Sequence, residues 1–340
     1  MQLIYFHGKQ PNFGDDLNAV LWPRLLPDMF DGTGPEGFLG IGTLIGIAVP
    51  GCARLHVFST GAGYDAIDRW RVERRIWCVR GPLTARLLGA DPDAALTDGA
   101  ILAPDVLGEP VSRNATAGIV GVVPHWESLH FAGWQQACDA AGFRLITPID
   151  TPARVHAAIG GVSLVLTESL HGAILADTMG IPWVPFISTR NVSALKWVDW
   201  CLSVKVAFAP VPIPPPSAAA ALTFGRPPRG EGPGRLHFDA ESAMREFHGR
   251  VAPHRQVPGS LGLGVRLRAG LRDASRRSRL ITHALGYGPA RTAAGLAAAA
   301  RVEPTLSVAS LRADLRTRML ERLRAFERAH VALQPCRSGR

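Results

Sequence analysis

Absences narrow the reading first. The 340 residues hold only five cysteines, with no C-x-x-C and no Cys/His pair at metal-ligand spacing. Cys52, Cys78, Cys138, Cys201 and Cys336 are scattered and odd in number, which argues against a disulfide scaffold and for reduced thiols in a cytosolic protein. No metal centre is expected. A bilayer span needs about 20 apolar residues in a row. The most apolar window, FLGIGTLIGIAVPGCA (38–53), is broken by glycines and Pro50 and reads as buried strand and turn. The opening MQLIYFHGKQPNFGDD lacks the basic start and apolar stretch of a secretory leader, so a cytoplasmic setting is expected. Acidic residues are scarce in one region only: residues 1–200 carry 14 Lys/Arg against 19 Asp/Glu, whereas 201–340 carry 23 against 9. The net charge of +9 therefore belongs to the C-terminal part.

What is present is a repeated strand–helix alternation. QLIYFH (2–7), RLHVFSTGAG (54–63) and RIWCVRG (75–81) read as strands, and GDDLNAVLWPRL and PLTARLLGA as helices with acidic or proline starts. DAALTDGAILAP (93–104) reads as strand and turn. After the polar GEPVSRNATA the pattern restarts: GIVGVVPHW, FRLITPI, VSLVLTES and IPWVPFI as strands, with helices between them. Alternation at this spacing predicts parallel βαβ units in two sets. The expected fold is therefore α/β, with two doubly wound Rossmann-like domains at 1–112 and 113–205 and ligands at the carboxyl ends of the strands. A Pro/Ala/Gly-rich linker (206–260) and a basic, partly helical extension (261–340) are expected to follow. In that extension Leu311, Leu315, Met319 and Leu323 fall at helical spacing with arginines on the other face.

Candidate site residues lie at the predicted strand ends. In TESLHGAILADTMGIPWVPF (167–186), Ser169 is placed as an N-cap and His171 in the first helical turn, where free N–H groups favour an anion and an imidazole can exchange a proton. The same histidine also reads as a structural one packing a loop. Arg80, at a strand end before Gly81-Pro82, can fork onto a carboxylate or phosphate or stand as a surface arginine. Gly61, in STGAG (59–63), lets backbone approach a ligand, without matching a dinucleotide fingerprint. Asp15 and Asp16, in NFGDDLN (12–18), either cap a helix or hydrogen-bond sugar hydroxyls. His125, in VPHW (123–126), offers a second imidazole. Glu168, Arg190 and Lys196 complete the set.

Together NFGDDLN, STGAG, VRGPLTARLL, VPHW, SLHGAILADTMGIPWV and KWVDW (196–200) resemble, in order over residues 1–205, the polysaccharide pyruvyltransferase family, and in particular its succinoglycan-type exopolysaccharide branch. The resemblance implies a two-domain fold like that of GT-B glycosyltransferases. It also implies transfer of the pyruvyl group of phosphoenolpyruvate to two hydroxyls of a hexose, as a ketal, with no further cofactor. His171 would deliver a proton or hold phosphate, Arg80 would clamp the donor and Asp15 or Asp16 would orient the sugar. Some members carry an arginine where this chain has Ser169, so Arg190 or Lys196 would have to supply that charge. The acceptor would be a glycan hexose, lipid-linked or free.

Two other readings stand beside this one: a nucleotide-sugar-dependent GT-B glycosyltransferase, and a non-catalytic membrane-surface or nucleic-acid binder acting through the basic tail. The tail lacks interleaved aromatics and any nucleic-acid reading motif, which favours anionic lipid or simple solvation over specific nucleic acid.

Overall fold

A computed structural model of the chain describes residues 1–67, 70–109, 118–228, 234–251 and 279–331. Most of the polar stretch before 118, the basic run 252–278 and Cys336 lie outside these residues. Two wholly parallel sheets organise the rest. In the first, β1 (Gln2–Ile4), β2 (Glu36–Leu39), β3 (Arg54–Phe58) and β4 (Glu73–Cys78) lie side by side in chain order. α1 (Phe13–Leu25) links β1 to β2, capped by the Asn12 side chain, with Pro23 tolerated in its last turn. α2 (Pro82–Leu88) follows β4 with Pro at its start and Gly89 in the left-handed conformation at its end. The stretch 93–104, expected as strand and turn, forms two 3-10 turns leading into α3 (Ala103–Leu107). Asp91 and Asp98 favour that outcome because each carboxylate accepts a backbone N–H two residues on.

The second sheet contains β5 (Val120–Val123), β6 (Arg144–Leu145), β7 (Leu164–Thr167), β8 (Trp183–Ile187) and β9 (Val211–Pro212). Their spatial order is β6-β5-β7-β8-β9. The winding direction reverses between β5 and β7, which makes this sheet doubly wound and opens a crevice beyond the ends of those two strands. The first sheet winds one way only. Between strands of the second sheet run α4 (Trp134–Ala141), α5 (Pro152–Gly160) and α6 (Leu170–Thr178), and α7 (Ala194–Ser203) follows β8. The strands of this sheet are almost wholly apolar, as burial on both faces requires.

The chain after residue 205, expected as linker and extension, contributes to both halves. Val211–Pro212 is an edge strand of the second sheet, and the helix Pro289–Ala299 buries Leu296 and Ala299 in that sheet's core. The C-terminal helix, Ala309–Val331, buries Leu315, Met319, Leu323 and Phe326 in the core of the first sheet. The connections 40–53 and 59–72 carry no helix among the described residues, so this late helix covers strands that their own crossovers leave bare. Phe326 stands edge-on to Phe38, Phe58 and Trp77, with ring centroids 5.1, 6.1 and 5.3 Å away. Three arginines of this segment are spent inside the protein. Arg316 pairs with Asp105 and Glu109, Arg322 donates to the carbonyls of Trp77 and Asp93, and Arg312 donates to Ser307. No helix among the described residues is long and apolar enough to cross a membrane.

The helix is also latched by histidines. His330 Nε2 lies 3.3 Å from His56 Nε2, which lies 3.3 Å from Glu36 Oε2. The Trp77 indole donates to His56 Nδ1 (3.2 Å), which leaves the His56 proton on Nε2. Burial, and then the neighbouring His330, push His56 below the ordinary histidine range against the pull of Glu36. Burial acts likewise on His156, and it takes His125 down to about 3. These rings fold neutral, whereas the unfolded chain protonates them near the ordinary pKa of about 6.5. Their stabilisation is therefore full above that value and is lost as pH falls through it toward the folded values. Thermal melts between pH 7 and pH 5 should show a falling Tm. A flat profile over that window would contradict the neutral latch.

Candidate active site

A cleft of about 490 Å³ opens between the two sheets at the carboxyl ends of their strands. The first half supplies Tyr5, Phe6 and His7 after β1, Asn12 and Asp15 from α1, the 42–47 loop after β2, and Tyr64 and Asp65 after β3. The second half supplies His125, Trp126 and Glu127 after β5, Ser169, Leu170 and His171 after β7, and Asn191 and Lys196 beyond β8. Both histidines named from sequence thus flank the reversal point of the doubly wound sheet.

His171 is the second residue of α6, whose N-cap Ser169 accepts the Gly172 N–H (3.4 Å). Thr167 Oγ1 fixes the entry by accepting the Ser169 N–H (3.0 Å). The imidazole lies over α1, where a Cβ on Gly14 would sit 2.0 Å from Nδ1. The glycine of NFGDDLN is there to make room for a ring from the other half of the molecule. His171 Nε2 points to Asp98 Oδ2, 3.8 Å away, and Asp98 is fully buried. Asp15 faces the same space, with its Oδ2 accepting from the Asn12 amide (2.7 Å). Burial raises its carboxyl above the ordinary range even though His171, Lys196 and Asn12 pull the other way. A carboxylate held this way in a cleft is poised to exchange protons. Lys196, in the first turn of α7, donates to Tyr64 Oη (2.7 Å) and is the one Lys or Arg lining the cleft among the described residues. His125, kept neutral by burial and then by the charge of Lys196, presents an uncharged ring.

The remaining predicted residues stand elsewhere. Asp16 accepts the Asn12 N–H (3.2 Å) and serves the helix start. Arg80, expected as a donor clamp, is buried with every nitrogen engaged: Nε to Asp199 (3.2 Å), one terminal nitrogen to Gly42 O and Thr43 Oγ1, and the other to Ala62 O (2.6 Å). It lies behind the 42–47 loop rather than in the cleft. Gly61 leaves room for that guanidinium, since a Cβ there would meet Arg80 Cζ at 2.2 Å. Glu168 accepts from Ser188 N, Ser188 Oγ, Ser128 Oγ and His125 N, so its four bonds tie the β5 and β8 ends together. Arg190 is exposed, donates to Arg226 O (3.2 Å) and lies beside the cleft-lining Asn191.

Asp98 and Gly14 escaped sequence reasoning because their partner is a histidine from the other half. Tyr64, Glu127 and Asn191 carried no signal beyond lying near glycine turns or strand ends. Glu36, His56 and His330 bring three ligand-type atoms within 4.8 Å of one another. A zinc ion there would need a lone pair on His56 Nε2, and the Trp77 indole forces the proton onto that atom. No cysteine lines the cleft among the described residues, and burial pushes the Cys78 and Cys138 thiols up to about 12.

Two parallel α/β sheets, with an imidazole, a carboxyl and a lysine converging at the strand ends between them, form a candidate active site. No family model matches the chain. It is 33% identical over 260 residues to the succinoglycan biosynthesis protein ExoV of Rhizobium meliloti (strain 1021), spanning 72% of this chain and 81% of that one. The chain belongs to the polysaccharide pyruvyltransferase family, in its succinoglycan-type branch.

Proposed function

We propose that this chain, on a two-domain scaffold of the GT-B kind, transfers the pyruvyl group of phosphoenolpyruvate to two hydroxyls of a hexose in an exopolysaccharide precursor. The observation that carries this reading is the convergence of His171, Asp15 and Lys196 at the N-terminus of α6. The donor is a small anion that carries a phosphate and a carboxylate. The open N–H groups of that helix and the Lys196 ammonium match its phosphate and carboxylate. Protonation of the methylene carbon by His171 makes the adjacent carbon cationic, and one sugar hydroxyl adds to it. Phosphate then leaves with the C–O electron pair, and the second hydroxyl closes the ketal. One proton is consumed at carbon and two hydroxyl protons are released: Asp15 takes the first, which replaces the proton His171 gave up, and the second goes to the departing phosphate. Arg80 and Glu168 act at a distance in this scheme by fixing the loops that carry the lining residues.

Calorimetric titration of the purified protein tests the donor. Phosphoenolpyruvate should bind saturably, and Lys196→Ala should weaken it by roughly tenfold, as loss of one charge-assisted contact does. Absence of phosphoenolpyruvate binding, together with saturable binding of a nucleotide sugar, would replace this reading with glycosyl transfer.

A further inference from the structure

We infer that Asp98 is a positioning residue for His171: it holds the Nε2 proton of the imidazole and thereby turns Nδ1 to the substrate. The inference deepens the proton-donor role proposed above and rests on it for its kinetic consequence.

Two buried, unsatisfied atoms face each other across the two halves of the molecule. His171 Nε2 and Asp98 Oδ2 are both inaccessible and both lack any hydrogen-bond partner, and they lie 3.8 Å apart. Buried polar atoms are nearly always satisfied, so a matched pair of orphans calls for an explanation. The carboxylate cannot turn away, because Oδ1 is fixed by the Ala100 N–H (2.9 Å) at the start of a 3-10 turn. On one side the ring rests against Gly14 and Phe13 of α1, which keeps it from sliding that way. A small approach of the halves brings the two atoms into hydrogen-bond range, and separations of this kind tighten when a substrate is bound.

The chemistry follows from which nitrogen is held. With Nε2–H directed at Asp98, neutral His171 carries its lone pair on Nδ1, and the acid form carries a second proton there, at the atom beside Gly14. The charges around the ring are Asp98 behind it, Asp15 from α1 and Lys196 from α7. Removing the Asp98 carboxylate leaves the tautomer unguided. The acid is also composite: His171 belongs to the second half, and Asp98 and Gly14 to the first, so it is complete only when the halves are docked.

Imidazole nitrogen chemical shifts of 15N-histidine-labelled protein test this without substrate. In the wild type, neutral His171 should be the Nε2–H tautomer, and a dominant Nδ1–H tautomer would overturn the proposal without any variant being made. In Asp98→Asn, whose amide would present an N–H to Nε2, the neutral ring should turn to the Nδ1–H tautomer. With phosphoenolpyruvate and an acceptor, kcat should fall by roughly 10²–10⁴-fold while KM for the donor stays within about twofold. An unchanged His171 tautomer in a folded Asp98→Asn protein would sink the inference even if pyruvyl transfer is the reaction. The Nε2–H tautomer in a protein inactive toward phosphoenolpyruvate would uphold the pairing and sink the reaction instead.

Discussion

His171→Ala should lower turnover by roughly 10²–10⁴-fold, the range that a positioned proton donor supplies, while the melting temperature stays near that of the wild type. The fold should survive because the side chain faces the cleft: its Nε2 bonds nothing, and no other described side chain hydrogen-bonds to it. Removing the ring enlarges an open cleft and creates no sealed cavity, so the large cost of core truncation does not arise. Asp98 loses its facing imidazole but gains access to cleft water. The helix start is held independently by Ser169 and Thr167. Steady-state rates with phosphoenolpyruvate and a hexose acceptor, beside a thermal melt, check both halves of the expectation. Turnover within tenfold of the wild type would remove His171 from the chemistry.

Asp199→Ala should be the most damaging single change to stability, at about 3–5 kcal/mol, the cost of stripping one partner from a buried ion pair. Asp199 is fully buried and accepts four bonds: from Arg80 Nε (3.2 Å), Leu83 N (2.9 Å), Thr84 N (3.0 Å) and Thr84 Oγ1 (2.6 Å). Its truncation leaves a buried guanidinium unpaired and opens two N–H groups in the first turn of α2. That turn has no cap of its own, since Gly81 has no side chain to offer. The carboxylate of α7 therefore caps α2, and the contact joins the two halves of the molecule. A Cβ on Gly81 would meet Asp199 O at 2.0 Å, so this approach too depends on a glycine. Denaturant unfolding measures the cost. The double variant Arg80→Met/Asp199→Leu should be less destabilised than Asp199→Ala, because no charge is left buried alone. A loss below about 1 kcal/mol in Asp199→Ala would mean that water reaches Arg80.

Much of the architecture was legible in the chain because strand and helix periods differ and the turn residues punctuate them. The parallel sheets, the capped entry of α6 and the place of His171 within it all follow from local pattern. Side-chain direction at the strand ends did not. Arg80, read as a hand held out to a donor, turns inward because Asp199, a residue 119 positions away, waits for it. Gly61 and Gly63, read as room for a ligand, are room for Arg80 and Lys196. The apolar stripe from Leu311 to Leu323 announced a face to be covered, but periodicity does not say by what. The answer is a sheet made from the first residues of the chain.

That last packing has a consequence for how the molecule is made. β1 to β4 are made long before the helix Ala309–Val331, yet their core also contains Phe326 and Met319. Until the final helix has been synthesised, Phe38, Phe58 and Trp77 lack their cover, and an exposed apolar sheet is what chaperones bind and aggregates grow from. The second half meets a similar delay, since Trp183 of β8 pairs with Thr305. Neither half can finish folding before the segment 305–331 has been made, and the first sheet stays unsealed until then.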